Sequence, residues 1–408
     1  MPLTVKDAWK ACERFFDETT GMPYDCPRGA VLEALPTPEQ VADDVPNRCG
    51  WMAGFEDCAL NLGYITPYLI RYAEFTGEAA WRDAALHCAD ALLHLMAASP
   101  TRGFLPRGVL PDGATHYRNS SADQYTMAFH ALRHLVAWPE AGEERCEAAR
   151  QFAVATMDLL ERHDWNIPTE DGHEAWVSET GSFQADRGTR LLQFALTTYA
   201  ITNDNHRLTA YRGLRDAQNH RRTRGLFICP PASPYAQLQT QVSLRALCDQ
   251  EPDVEFRMHW HMQSHDVAEH CIRRLADEFP LDELAKRIAK APQLEDEVDW
   301  RELVPVERIE ERHDARKVGR AIAELYGRLP RLDREQRYLR APIELILCGT
   351  LTGRDDLVGR DGRRLDDTAR AYIECILEHT DPTSITLCSA AFGLAALLID
   401  LAIQAGDE

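Results

Sequence analysis

Three aspartates recur at nearly even intervals, each at the head of an apolar segment with helical character. Asp57 closes Gly54-Phe55-Glu56-Asp57, Asp123 closes Asn119-Ser120-Ser121-Ala122-Asp123, and Asp186 closes Ser182-Phe183-Gln184-Ala185-Asp186, 66 and 63 residues apart. A period of this length suits one helical hairpin, and stacked hairpins bury each apolar face against the next. From Trp81 onward the apolar positions are Trp81, Ala84, Ala85, Cys88, Ala91, Leu92 and Leu95, the spacing of a one-sided surface helix. Cys146, Ala149, Ala153, Thr156, Met157 and Leu160 repeat it. The stretches between, Asp57–Phe75, Asp123–Ala137 and Gly188–Ile201, are apolar on several faces and read as an inner layer buried on both sides.

The connections alternate as well. Inner segments pass to outer ones through short turns such as Thr76-Gly77-Glu78, whereas outer segments return through long loops, Ala98–Ala122 and Asp164–Gln184. Long ordered loops in compact domains are usually functional, and here they gather at the N-terminal ends of the inner helices. At about 65 residues per hairpin the chain holds about six, the count that closes a ring. Further inner helices are expected at Pro234–Leu247, Arg340–Leu351 and Ile385–Ile403, with Leu281–Val306 a charged, irregular excursion. The expected fold is all-α, an (α/α)6 toroid of about six helical hairpins with its long loops on one face, formed by residues 1–408 as a single domain.

A net charge of −20 argues against a nucleic-acid partner, which needs a basic face, and equally against an anionic membrane surface. Ser384–Ile403 is long and apolar enough to span a bilayer, but Asp400 interrupts it, and a helix buried all round in a core is the better reading. The twelve cysteines include no C-x-x-C pair and read as free thiols of a reducing compartment. With no apolar leader after Met1, the expected location is cytoplasmic.

On a ring of hairpins, the three aspartates share one mouth. Helix N-termini favour their ionised forms, while burial and mutual repulsion raise at least one pKa. Such a pair of unlike carboxylates is what acid/base chemistry at a glycosidic bond requires. The plainer reading is N-capping, which explains any one of them by itself. Around the mouth, Trp51, Tyr117, Tyr125, Trp165, Trp176 and Trp260 are candidates for stacking on a sugar ring, or else simply pack the loops down. Arg48, Arg107, Arg118 and Arg187 are candidates for holding a carboxylate in a bidentate pair, with Arg187 also placed to neutralise Asp186. His259, Trp260 and His261 form a further binding candidate; read as extended, His259 and His261 project to one side. His265 is four residues from His261, yet no HExxH motif or thiol partner accompanies them, so neither a metal nor a cofactor is expected. No Walker loop, GxGxxG or G-x-S-x-G element is present.

With these residues in hand, the chain resembles the six-hairpin glycosidase superfamily, especially the unsaturated glucuronyl and rhamnogalacturonyl hydrolases. The architectural likeness covers most of the chain, and the motif-level likeness about residues 47–190. The resemblance implies that Asp57 and Asp123 serve catalysis, with Asp123 as general acid/base and Asp57 as its electrostatic partner; Glu56 is an alternative to Asp57. It implies metal-free hydrolysis of a small uronate-containing oligosaccharide. Three other readings remain open. They are a sugar epimerase of the N-acylglucosamine 2-epimerase type using the histidines, a polysaccharide lyase, and a helical-repeat binding protein. The last predicts short loops at both helix ends, unlike Ala98–Ala122.

Overall fold

The computed structural model describes residues 3–25, 35–173, 185–222, 233–290, 330–353 and 364–406. Two short helices come first, α1 (Val5–Glu13) and α2 (Pro38–Ala42), each opened by a threonine capping box: Thr4 with Asp7, and Thr37 with Gln40. Long helices follow in pairs: α3 (Cys58–Thr76) with α4 (Ala79–Ala98), α5 (Ala122–Ala137) with α6 (Glu143–Arg162), α7 (Ala185–Thr202) with α8 (Asn205–Arg222), and α9 (Pro234–Gln250) with α10 (Val254–Glu278). After α11 (Leu281–Ile288) and α12 (Pro330–Glu335) come α13 (Ala341–Thr350), α14 (Leu365–His379) and α15 (Cys388–Gly406). Helix is the dominant structure, and among the described residues there is no strand; Phe16 and Pro23 form an isolated bridge.

The packing order is simple. Helix α3 lies against α5, α5 against α7, α7 against α9, α9 against α13, α13 against α15, and α15 against α3 again. Each of these six carries a partner on its other side: α4, α6, α8, α10, α14 and α1 respectively. Burial follows the two layers. Helix α3 is buried at every position from Cys58 to Ile70, while α4 buries only Trp81, Ala85, Cys88, Ala89, Ala91, Leu92, Leu95 and Met96. The closest inner approach is at Gly63, where an added Cβ would lie 2.3 Å from the Met127 backbone; only a glycine lets α3 and α5 meet there. Gly77, at φ 67°, ends α3 in the left-handed conformation that glycine adopts without strain.

Helices are therefore present at each of the six spans expected for inner helices, within a few residues of the predicted ends. Two expectations are corrected. Leu281–Ile288, read as irregular, is the helix α11, because Asp282 and Glu283 in its first turn and Lys286 and Arg287 in its last complement the helix dipole. Residues 291–306 of that excursion lie outside the described residues. The segment around His259 and His261, read as extended, is the interior of α10.

The apolar C-terminal segment packs as α15. By length and composition it is the one helix among the described residues able to cross a membrane, and 72% of its most apolar window is buried inside the fold. Asp400 on it pairs with Arg71 of α3 at 3.2 Å. Ten cysteines are described, all as free thiols and all but Cys375 buried; Cys26 and Cys229 lie outside the described residues.

Candidate active site

The loop between α4 and α5 is anchored before it reaches the heads of α3 and α5. The Tyr125 hydroxyl donates to the Gly103 carbonyl (3.1 Å) and accepts from the Leu105 amide (2.8 Å), while Thr156 of α6 donates to the same carbonyl. This fixes the approach to Arg107, which is only 4% exposed and meets the head of α3 three times and that of α5 once. Its carbonyl accepts from the Ala59 amide (2.9 Å), Nε donates to the Glu56 carbonyl (3.0 Å), Nη2 to Asp57 Oδ1 (3.2 Å) and Nη1 to Ser121 Oγ (2.7 Å). Gln124 adds a second clamp: Nε2 donates to Asp57 Oδ1 at 2.9 Å, and Oε1 accepts from the Leu60 amide at 2.8 Å.

These contacts decide against simple capping. The free amides of α3 are taken by the Arg107 carbonyl, the Gln124 side chain and the Asp57 carbonyl, so Asp57 stands at the N-cap position with no capping bond from its carboxylate. Its Oδ1 is held by Arg107 and Gln124. Its Oδ2 makes no hydrogen bond among the described residues, and the side chain is 25% exposed.

Asp123 is in the opposite situation. Oδ1 accepts from the Ser121 hydroxyl and from the Gln124 amide at 3.0 Å, and Oδ2 accepts from the Tyr235 hydroxyl. Burial pushes its pKa up, but the Arg107 guanidinium, the Ser121 and Tyr235 hydroxyls and Arg190 together outweigh it and hold the carboxyl below its usual range. The same arrangement pushes the Tyr235 phenol far up, through burial and then the charges of Asp123 and Asp57. Asp123 is thus a fixed anion, and the acid/base role expected for it meets a physical objection: both oxygens accept hydrogen bonds and the proton is disfavoured.

The raised carboxyls lie behind Asp57. Glu56 accepts from the Met52 and Gly54 amides, and burial, then the charge of Asp57, raise its pKa. Asp25 is raised further, by burial and then by Glu56 and Asp57. A carboxyl raised on folding stabilises fully below its unfolded value, near 3.8 for Asp25, and that contribution is lost as pH rises through the folded value. Asp25→Asn is therefore expected to flatten the loss of stability with rising pH, read from urea midpoints between about pH 4 and about pH 8. An unaltered slope would assign the proton elsewhere.

The remaining expected residues divide clearly. Asp57 and Asp123 are brought together through Arg107 and Gln124. Arg48 is instead turned to Asp44 (3.5 Å), and Arg118 is exposed beside the Glu170 turn, to whose amide its carbonyl is bonded. Trp51 is partly buried, with its backbone bound to Asn47. Tyr125 is fully buried against Phe194 with its hydroxyl engaged internally, so it belongs to the core; Tyr117 is buried against Phe55. Trp260 is also core, its indole donating to Glu251 at 3.3 Å. His259 and His261 lie on the outer helix α10 beside exposed Met258 and Met262, and two residues apart on a helix they point apart. Further along α10, ligand atoms of His265, Asp266 and Glu269 lie within 4.8 Å of one another, with Glu269 bound to Arg273. Trp176 and the side chains of Asp186 and Arg187 lie outside the described residues.

Two residues of the cluster escape a reading built on aspartates. Tyr235 opens α9 and Arg340 opens α13, with the Arg340 Cζ 5.0 Å from the centre of the Tyr235 ring and its Nε 2.7 Å from Glu344. Both stand at the repeat position of Asp57 and Asp123, the start of an inner helix. Extending the repeat to non-acidic residues would have found them. Compared with known proteins, the chain gives no significant match to any protein family, any curated protein or any solved structure.

Proposed function

We propose that the chain is an (α/α)6 toroid of six hairpins acting as a metal-free glycoside hydrolase on a small oligosaccharide. The return of α15 to α3 supports the ring, and the carboxylates gather at the end where its inner helices begin. One observation carries the activity: two carboxylates from neighbouring inner helices share one buried arginine, and only one of them keeps an open oxygen. In this reading Asp57 transfers the proton through Oδ2, first to the sugar and then from the attacking water. Asp123 stays ionised and stabilises the positive charge that develops on the ring. That exchanges the roles the sequence resemblance implied.

The histidine-based epimerase is less favoured, since His259 and His261 ride on the outer layer. A lyase with Tyr235 as base is disfavoured by the raised phenol. Turnover of a panel of saturated and unsaturated uronate oligosaccharides, neutral glycosides and amino sugars, followed by mass spectrometry and NMR, tests the reading. Cleavage with a gain of one water supports it, and isomerisation without mass change overturns it.

A further inference from the structure

We infer that the outward face of α10 binds a soft monovalent cation of the copper(I) class through Met258, His261, Met262 and His265. These residues stand at i, i+3, i+4 and i+7, two Met-x-x-His units in succession, so on a helix they line up as one stripe. An extended segment would have split the methionines from the histidines, which is why the alignment emerges only with the helix. The residues between them face elsewhere. Trp260 and Ser264 are buried on the inward side, Trp260 against Glu251 and Ser264 against Gln241 of α9, and the His259 ring contacts the Gln263 amide.

The thioethers set this stripe apart. Methionine usually serves as an adaptable core residue, and Met22, Met96, Met127 and Met157 are all buried. Met258 and Met262 are instead 62% and 66% exposed, one turn apart on the same helix. Packing does not account for them, whereas ligation does. Thioethers select copper(I), and imidazole accepts the same ion. Thioethers and neutral imidazoles add no charge of their own, which suits a monovalent cation better than a divalent one.

The C-terminal end of the stripe adds a second feature. Ligand atoms of His265, Asp266 and Glu269 lie within 4.8 Å of one another, which sets carboxylates beside the last imidazole and favours a cation there. That trio alone is poorly suited to a divalent ion, because Glu269 is buried and bound by Arg273. Thiols compete for soft ions, but of the ten described all except Cys375 are buried. The inference is independent of the hydrolase reading, since α10 belongs to the outer layer and the acidic cluster to the heads of α3 and α5.

The test titrates silver(I), a redox-inert stand-in for copper(I), into the intact protein carrying carbon-13 methyl-labelled methionine, after accessible thiols have been alkylated. The Met258 and Met262 methyl signals, assigned from Met258→Leu and Met262→Leu, are expected to shift together and saturate at a single ion, while those of the buried methionines stay in place. Met258→Leu/Met262→Leu conserves volume on an exposed face, so it should keep the wild-type melting temperature and lose the site. His261→Gln/His265→Gln should weaken binding by more than about tenfold, because even an outer partner of a metal ligand is worth about ten- to a hundredfold in affinity. Turnover of whatever substrate the panel identifies should be the same in both double variants as in the wild type. Methyl signals that do not move, or a methionine double variant that binds silver(I) like the wild type, overturn the inference. Tighter binding of zinc(II) than of silver(I) also overturns it, and would assign the ion to His265, Asp266 and Glu269 instead.

Discussion

Asp57→Asn should give a folded protein whose turnover falls by about 10²–10⁴-fold, the usual contribution of a positioned acid/base group. The fold is expected to survive because asparagine keeps an acceptor at Oδ1 for Arg107 and Gln124, and because no backbone amide of α3 depends on the carboxylate. What disappears is the oxygen through which the proton would be transferred. Asp123→Asn supplies the contrast. Removing that fixed anion lowers the pKa of a neighbouring carboxyl, so the pH–rate profile should move to lower pH as the rate declines. If Asp57→Asn kept full activity on the substrate found by the panel, the proton transfer would have to lie elsewhere. If both variants only slowed turnover without moving the profile, the two carboxylates would not be coupled.

The second large effect is on stability. Arg107→Met should destabilise the protein by about 3–5 kcal/mol, because it removes the cation from a buried arrangement and leaves the Asp123 and Asp57 charges uncompensated. The dependence on pH weakens at the same time. With Arg107 present, the Asp123 pKa is lowered, so its contribution holds above the unfolded value near 3.8 and is lost as pH falls. Without it, the largest lowering influence is gone and the carboxyl rises, so the variant should lose less of its stability in acid than the wild type. Urea unfolding at two pH values reads both effects. A loss below about 1 kcal/mol, the range of exposed pairs, would mean that solvent screens this arginine.

Much of the architecture was legible because helical periodicity is a local signal. Cys58–Thr76 and Ala122–Ala137 carry apolar residues on all sides, Ala79–Ala98 on one side, and Gly77 marks the turn between layers. The two central aspartates were legible for the same reason, since their position in the repeat is a sequence property. Their environments were not. Whether a carboxyl is raised or lowered depends on Arg107, 50 residues from Asp57, and on Tyr235, 112 residues from Asp123, and no spacing rule announces such partners. Tyr125 and Trp260 misled because an aromatic near a helix start suits a binding loop or a core equally well, and only the neighbours Phe194 and Glu251 decide. His259-x-His261 was ambiguous between two periods, and the capping of α10 by Asp253, which accepts from the Glu255 and Phe256 amides, resolves it as helix.

The contact between α1 and α15 bears on how such a chain is made. Arg14, just beyond α1, donates to the carbonyls of Pro382, Thr383 and Ile385, 368 to 371 residues away, while the Glu335 carboxylate holds the Thr386 and Leu387 amides just ahead of α15. Helices α3 to α6 can pair as they emerge, but α3 has no neighbour on its other side until α15 arrives, at ordinary elongation rates tens of seconds later. During that interval, the apolar face that α15 will cover is open to water and to other nascent chains. Synthesis speed and chaperone supply, more than the depth of the finished free-energy well, would then govern the yield of native protein.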